Sequence, residues 1–297
     1  MTRFTAAAAQ YPVDALSGWG HYEDKVSRWV AEAAGGGAAL LVFPEYGAME
    51  LASLDPATMG DLQGSIAFVS SLLPRVDALH ARLAARYGIH ILAASAPWRG
   101  DDGLFRNRAR LFAPGGAVGH QDKLVMTRFE REQWGIVGGE AINVFETALG
   151  RIGIAICYDC EFPSISRAMI EAGADLLLVP SCTDTRHGYW RVRIGAQARA
   201  LESQCPVIQA PTVGMAAWSP AIDENRGAAG VYGPPDVGFP ADGVLACGEM
   251  DASQLLLCEI DTALAAGART DGNVLNVRDW SLQAPASPRA SLVSLQG

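Results

Sequence analysis

The chain has 297 residues, 49% hydrophobic and 19% charged, which suits a large buried core and excludes a disordered chain. Its net charge of −9, with no Lys/Arg-rich run, argues against a nucleic-acid backbone or an anionic membrane as partner. No apolar run approaches the roughly 18 residues of a membrane helix.

In chain order, Met1–Val13 carries one Arg and a short Ala run, too weak a pattern for an export signal. With that reading, six thinly spread cysteines imply free thiols in a reducing cytoplasm rather than a disulfide framework. Tyr22, Val26, Trp29, Val30 and Ala33 fall at helical spacing, and Ala38–Phe43 follows as a strand. Leu62, Ile66, Val69, Leu72, Val76, Leu79 and Leu83 form a second helical stripe, with Pro74 expected to kink or break it. Ile89–Ala94, Arg106–Phe112, Arg151–Ile156, Asp175–Val179, Pro206–Ala210 and Gln254–Ile260 read as further strands. Phe162, Ile165, Met169 and Ala172 mark a helix, and Trp190, Ile194, Ala198 and Leu201 mark another. This alternation predicts an α/β fold with buried sheets and no internal domain boundary. The Gly- and Pro-rich stretch Gly214–Gly243 is long for a structureless connection, so it predicts short strands at the rim of a site or interface.

An internal echo runs through this pattern. Gly37-Ala-Ala-Leu-Leu-Val-Phe-Pro-Glu45 and Gly173-Ala-Asp-Leu-Leu-Leu-Val-Pro-Ser181 share Gly, Ala, two Leu and Pro in register. Chance similarity of helix–Gly–strand units is one reading. The other is two related halves, with Glu45 and Ser181 at equivalent strand ends, where open α/β sheets bind ligands.

Three segments could carry chemistry. Cys157 ends the strand Arg151–Ile156 just before a helix, and a nucleophile on a tight strand-to-helix turn is held proud of its sheet beside backbone N–H groups. Most cysteines after a strand are nonetheless core residues. Cys157 and Cys160 also form a Cys-x-x-Cys pair, open to a redox reading or to half a zinc site. The remaining cysteines are isolated, and no paired histidines complete a metal set. A nucleophilic Cys157 needs a base. His120 and His187 are candidates without a local signature, whereas Glu45 follows an apolar strand where burial would raise its pKa toward a useful value. Lys123, before Leu-Val-Met, would serve beside them as a fixed cation for an oxyanion.

Together these segments resemble the nitrilase (carbon–nitrogen hydrolase) superfamily, which carries a Glu after Phe-Pro, a Lys before an apolar run, and a Cys in Cys-[Tyr/Trp]-[Asp/Glu]. Val179-Pro180-Ser181 and Ala198–Ser203 also resemble family segments. The resemblance implies one domain over residues 1–297, a four-layer α-β-β-α sandwich of two pseudo-symmetric halves. Its core would span about residues 4–262, with the tail 263–297 packing at a homodimer interface. It makes Glu45 the general base, Lys123 the oxyanion donor with the Tyr158 N–H, and Cys157 the nucleophile, with no metal or organic cofactor. A second family Glu falls on Glu130, with Glu132 the alternative because the segment is one residue short. Cys157-Tyr158-Asp159 resembles the amidase and carbamoylase branches more than the nitrile-hydrolysing ones, which favours a small amide over a nitrile, with a nitrilase or an N-carbamoyl hydrolase of the same superfamily as the alternative. Glu161 stands where other members carry a non-acidic residue, so it either selects a neutral or amine-bearing amide or pairs with Arg167 or another Arg. Tyr46, His187 and Trp190 are expected to line the pocket. A catalytically silent scaffold and a Cys157/Cys160 redox protein are the readings from other classes.

Overall fold

The computed structural model describes residues 3–283 and 292–294. Two sheets face each other. In the first, β1 (Arg3–Pro12), β2 (Ala38–Val42) and β3 (His90–Arg99) run parallel. They are flanked by antiparallel β13 (Gln254–Asp261) on one side and by β4 (Phe105–Phe112) and β5 (Val118–Asp122) on the other. The second repeats the plan. β7 (Gly150–Ile154), β8 (Leu176–Ser181) and β9 (Val207–Met215) are parallel, between β6 (Val144–Thr147) and the pair β11 (Gly230–Tyr232) and β12 (Val244–Cys247). The two echoing segments therefore occupy the same central place, β2 in one half and β8 in the other. The halves join where β1 pairs with β9, at Tyr11↔Thr212 and Pro12↔Val213.

Helices cover the outer faces, giving the α-β-β-α sandwich. α1 (Trp19–Gly35) and α2 (Leu62–Tyr87) pack on the first sheet, and α3 (Pro163–Glu171) and α4 (Arg186–Ser203) on the second. β1 shows how both cores are filled. Ala7 and Ala9 meet α1 and α2 residues such as Val30 and Val69, while Ala6 and Ala8 meet Ile152, Ile154 and Leu177 of the facing sheet. An alanine run has little strand preference of its own, and burial on both faces overrides that preference. For this reason Met1–Val13 did not read as a strand.

Two further differences have physical causes. α2 runs through Pro74 without a break, because Pro74 lies on the exposed side, where water can take the freed carbonyl. On α4 the apolar stripe Trp190, Ile194 and Leu201 points outward, 48%, 61% and 45% exposed. The face packed inward is Tyr189, Val192, Gly195, Ala196 and Ala200. Small residues win there because the helix must approach the Cys157–Glu161 turn closely: a Cβ on Gly195 would lie 3.0 Å from Cys160 Sγ.

The Gly214–Gly243 stretch contains β10 (Glu224–Asn225), paired with the end of β9, as well as β11. Part of the expected C-terminal tail packs within the same chain. α5 (Thr262–Asp271) and α6 (Asn276–Asp279) are tied to the end of α4 by Gln204 Nε2, which donates to Ala268 O at 2.8 Å and Val274 O at 2.9 Å. Residues 284–291 and 295–297 of that tail lie outside the described residues. Among the described residues no helix is long and apolar enough to cross a membrane.

Candidate active site

The site forms where the central strands of both halves end. Glu45 lies just past β2, and the residue after it, Tyr46, turns through the left-handed region at φ 52°. Lys123 follows β5 directly, its backbone pinned by Lys123 N donating to Asn107 O (2.9 Å) and Gly139 N donating to Lys123 O (2.8 Å). Glu130 opens a wide helical turn, Glu130–Trp134. Cys157 starts the turn after β7 with φ 48°, a conformation that costs a non-glycine residue about 1–3 kcal/mol. Asp159, two residues on, accepts from the backbone N–H groups of Leu124 (3.1 Å) and Val125 (2.8 Å), which ties the Cys157 turn to the Lys123 segment.

These folds bring Glu45, Lys123, Glu130 and Cys157 together, all buried. Lys123 Nζ donates to Glu45 Oε1 at 2.8 Å and to Glu130 Oε2 at 2.6 Å. The two carboxylates are held unequally. Glu130 accepts from Lys123, from Thr127 N (2.9 Å) and Oγ1 (2.8 Å), from the Tyr46 hydroxyl (2.8 Å) and from Asn107 Nδ2 (3.3 Å). Glu45 accepts from Lys123, from Asn107 Nδ2 (2.9 Å) and from the Cys182 N–H (2.9 Å), and the Cys157 thiol donates to Cys182 O at 3.8 Å.

Electrostatics follows this asymmetry. Burial pushes Glu45 above the ordinary carboxylate range, and the negative Glu130 adds to the rise against the opposing pull of Lys123. Glu130 is equally desolvated, yet Lys123 and Thr127 hold it below its ordinary value. Burial would discharge Lys123, but Glu45, Glu130 and Cys157 outweigh it and raise its pKa well above normal. Burial also raises the Cys157 thiol well above its usual value, reinforced by Glu45 and opposed by Lys123. Two carboxylates pushed apart in this way can take different roles in proton transfer.

A cavity of about 590 Å³ opens onto Cys157. Met126, Phe129, Trp134 and Ile222 give it apolar walls, while Arg131, Arg191, Asp184 and Asp223 give it charges of both signs. Tyr46 and Tyr158 line it, as expected from the sequence; Tyr46 also braces Glu130. Three other expectations need correction. His187 and Trp190 are exposed and do not line the cavity, because α4 turns its small face inward. Glu161 does not line it either; of its two readings the pairing with an Arg is the one the structure shows, its carboxylate lying 3.4 Å from Arg191 Nε. Glu132 is likewise outside, exposed and paired with Arg128 at 2.9 Å.

The sequence reading missed Asn107, Ser95, Thr127 and Cys182. Asn107 did leave a signal, a polar side chain on the strand face that also carries buried Ala109 and Leu111. Cys160 faces away from the cavity, its Sγ 3.6 Å from Val192 O, with burial raising its thiol pKa. Among the described residues no group of three or more His, Cys, Asp or Glu is placed to hold a metal ion.

The carbon-nitrogen hydrolase family model matches residues 5–235. The chain belongs to the carbon–nitrogen hydrolase (nitrilase) superfamily. It is 30% identical over 270 residues to "Probable hydrolase YhcX" of Bacillus subtilis (strain 168), covering 91% of this chain and 52% of that protein. It is 32% identical over 200 residues to the bifunctional nitrilase/nitrile hydratase NIT4A of Lupinus angustifolius, covering 63% of this chain and 55% of that protein. The chain thus spans about half the length of these curated relatives. The crystal structure of an amidase from Nesterenkonia sp. shares the fold at a TM-score of 0.67 and 24% identity, over 90% of this chain and 94% of that one.

Proposed function

We propose that this carbon–nitrogen hydrolase is a cysteine-dependent amidase that releases ammonia from a small linear amide through a thioester on Cys157. The supporting observation is the unequal hydrogen bonding of the two carboxylates on Lys123, which leaves Glu45 as the proton carrier beside the thiol. The Cys157 thiol gives its proton to Glu45 as its sulfur attacks the amide carbon. The oxyanion rests on Lys123 Nζ and the Tyr158 backbone N–H; one such donor is typically worth about 3–4 kcal/mol of barrier. Glu45 then protonates the nitrogen, and ammonia leaves. Water enters, Glu45 takes its proton, and the hydroxide equivalent cleaves the thioester to a carboxylic acid and free thiol. Cys-Tyr-Asp supports an amide over a nitrile. The Glu161 argument for an amine-bearing substrate lapses because that carboxylate lies outside the cavity, 3.4 Å from Arg191 Nε, so the mixed cavity lining favours a neutral amide.

Ammonia release from short amides, carbamoyl compounds and nitriles, with Cys157→Ala as control, tests this. Release from amides by the wild type alone is the expected result. Preference for nitriles, or equal release by the variant, would overturn it. We also propose a homodimer in the cytoplasm, seated on the outward stripe of α4 with the adjoining tail at its edge. Ile194→Asp should then lower the sedimenting mass, and an unchanged mass would sink the dimer assignment.

A further inference from the structure

Glu45 and Glu130 share two neighbours, the Lys123 ammonium and the Asn107 amide. Two buried carboxylates this close ordinarily share one proton between them, as like charges resist joint ionisation. Here everything that bridges them is a donor. The orientation of Asn107 is set from behind. Ser95 Oγ accepts from the Tyr46 N–H at 2.9 Å, so its own proton goes to Asn107 Oδ1 at 2.6 Å. The amide oxygen is thereby occupied, and Nδ2 must face the carboxylates, 2.9 Å from Glu45 Oε1 and 3.3 Å from Glu130 Oε1. An amide nitrogen has two protons to give and no site to receive one. Ser95 and Asn107 are both fully buried, so water does not compete for these bonds.

We propose that Asn107, locked by Ser95, is a positioning residue that insulates Glu45 from Glu130, so that the proton taken from Cys157 stays on Glu45 until the leaving group collects it. The inference rests on the reading of Glu45 as the proton carrier. No bond to Asn107 forms or breaks. The S–H bond breaks and an O–H bond forms on Glu45; later that O–H bond breaks and an N–H bond forms on the departing nitrogen. Asn107 Nδ2 donates to the ionised form of Glu45 and thereby favours it, so its loss makes Glu45 harder to ionise.

Alkylation of Cys157 by iodoacetamide, followed by intact mass across pH, tests the inference without requiring turnover. In the wild type the rate should rise with ionisation of Glu45, and Glu45→Gln should abolish that acid limb. Asn107→Leu should move the limb upward by about one pH unit, which slows alkylation roughly tenfold on its acid side. Ser95→Ala should move it the same way by less. Because Ser95 acts only through Asn107, the double variant should match Asn107→Leu alone. An unmoved limb in Asn107→Leu, or additive shifts in the double variant, overturns the inference. Where Asn107→Leu does not fold, Ser95→Ala decides by itself, and an unmoved limb there has the same meaning. A wild type that alkylates with these shifts but hydrolyses no amide would refute the amidase reading and leave the insulator standing. A wild-type limb that survives Glu45→Gln removes the basis of both.

Discussion

Glu130→Gln should shift the same acid limb in the opposite direction. The substitution keeps the shape of Glu130 and removes its charge. Its amide oxygen can take the place of Oε2, where Lys123 Nζ and both Thr127 donors converge. The new NH2 then faces the Tyr46 hydroxyl, which can rotate to accept, and Asn107 Nδ2, which cannot. One arm of a buried ionic triad is lost, and breaking such a pair costs about 3–5 kcal/mol of stability. Lys123 is then left to Glu45 alone. The repulsion from Glu130 that helps keep Glu45 protonated is gone, so Glu45 ionises at lower pH and becomes a weaker base. A mispositioned Lys123 is also a poorer oxyanion donor, so kcat/KM should fall by roughly 10²–10³. Rate–pH profiles and chemical denaturation of the two proteins measure both effects. An acid limb that stays or rises, in a folded variant, would refute the account of how the two carboxylates are divided.

Asp159 is raised to about 7 by burial, against the opposing pull of the Val125 and Leu124 N–H groups. The folded state therefore holds this proton more tightly than the unfolded chain, where the value is 3.8. Its contribution to stability is greatest at low pH and is lost as pH rises from about 4 to about 7, to an extent of about 4 kcal/mol. Denaturation of wild type and Asp159→Asn across that range should show the wild type losing ground as pH rises; a wild type that gains would contradict the direction. Gly195→Ala places a methyl 3.0 Å from Cys160 Sγ and 3.2 Å from Cys160 O. It should cost about 1–3 kcal/mol and lower kcat through the Cys157 turn, both readable from melting and turnover. Lys25 Nζ bonds Glu50 Oε2 and Pro12 O at 2.6 Å each, and both side chains are buried. Lys25→Met should destabilise by about 3–5 kcal/mol in denaturant titration, and a loss below 1 kcal/mol would mean that the Glu50 charge finds another partner.

What was legible in the sequence was the chemistry carried by short motifs. Glu45 and Cys157 each end an apolar strand, Lys123 precedes an apolar run, Glu130 was legible only through the family resemblance, and the structure brings all four to one place. Glu130 separates from Glu132 only in three dimensions, where one faces Lys123 and the other faces Arg128. Contacts between distant segments were not legible. Which Arg meets Glu161, Arg191 of α4, was not legible, and Asn107 on β4 reaches Glu45, just past β2, across the one strand, β3, that lies between them in the sheet. Strand β1 escaped because alanine announces no strand, and the inward face of α4 escaped because glycine and alanine announce no core. In both places close approach, rather than hydrophobic bulk, decides what is buried.

The seam between the two halves has a mechanical consequence. Glu45, Lys123 and Glu130 all precede the β6–β7 hairpin and belong to the first half; Cys157 and Cys182 follow it and belong to the second. Strand pairing joins the halves through a short register, Tyr11↔Thr212 and Pro12↔Val213, close to where the central strands end. Glu45 and Cys157, the base and nucleophile of the proposed mechanism, are thus mounted on different sheets. A slip of one sheet against the other would change the distance between the Cys157 thiol and the carboxylate of Glu45. On the proposed mechanism, a substitution far out in either sheet that shifts this seating would lower turnover without touching Glu45, Lys123 or Cys157.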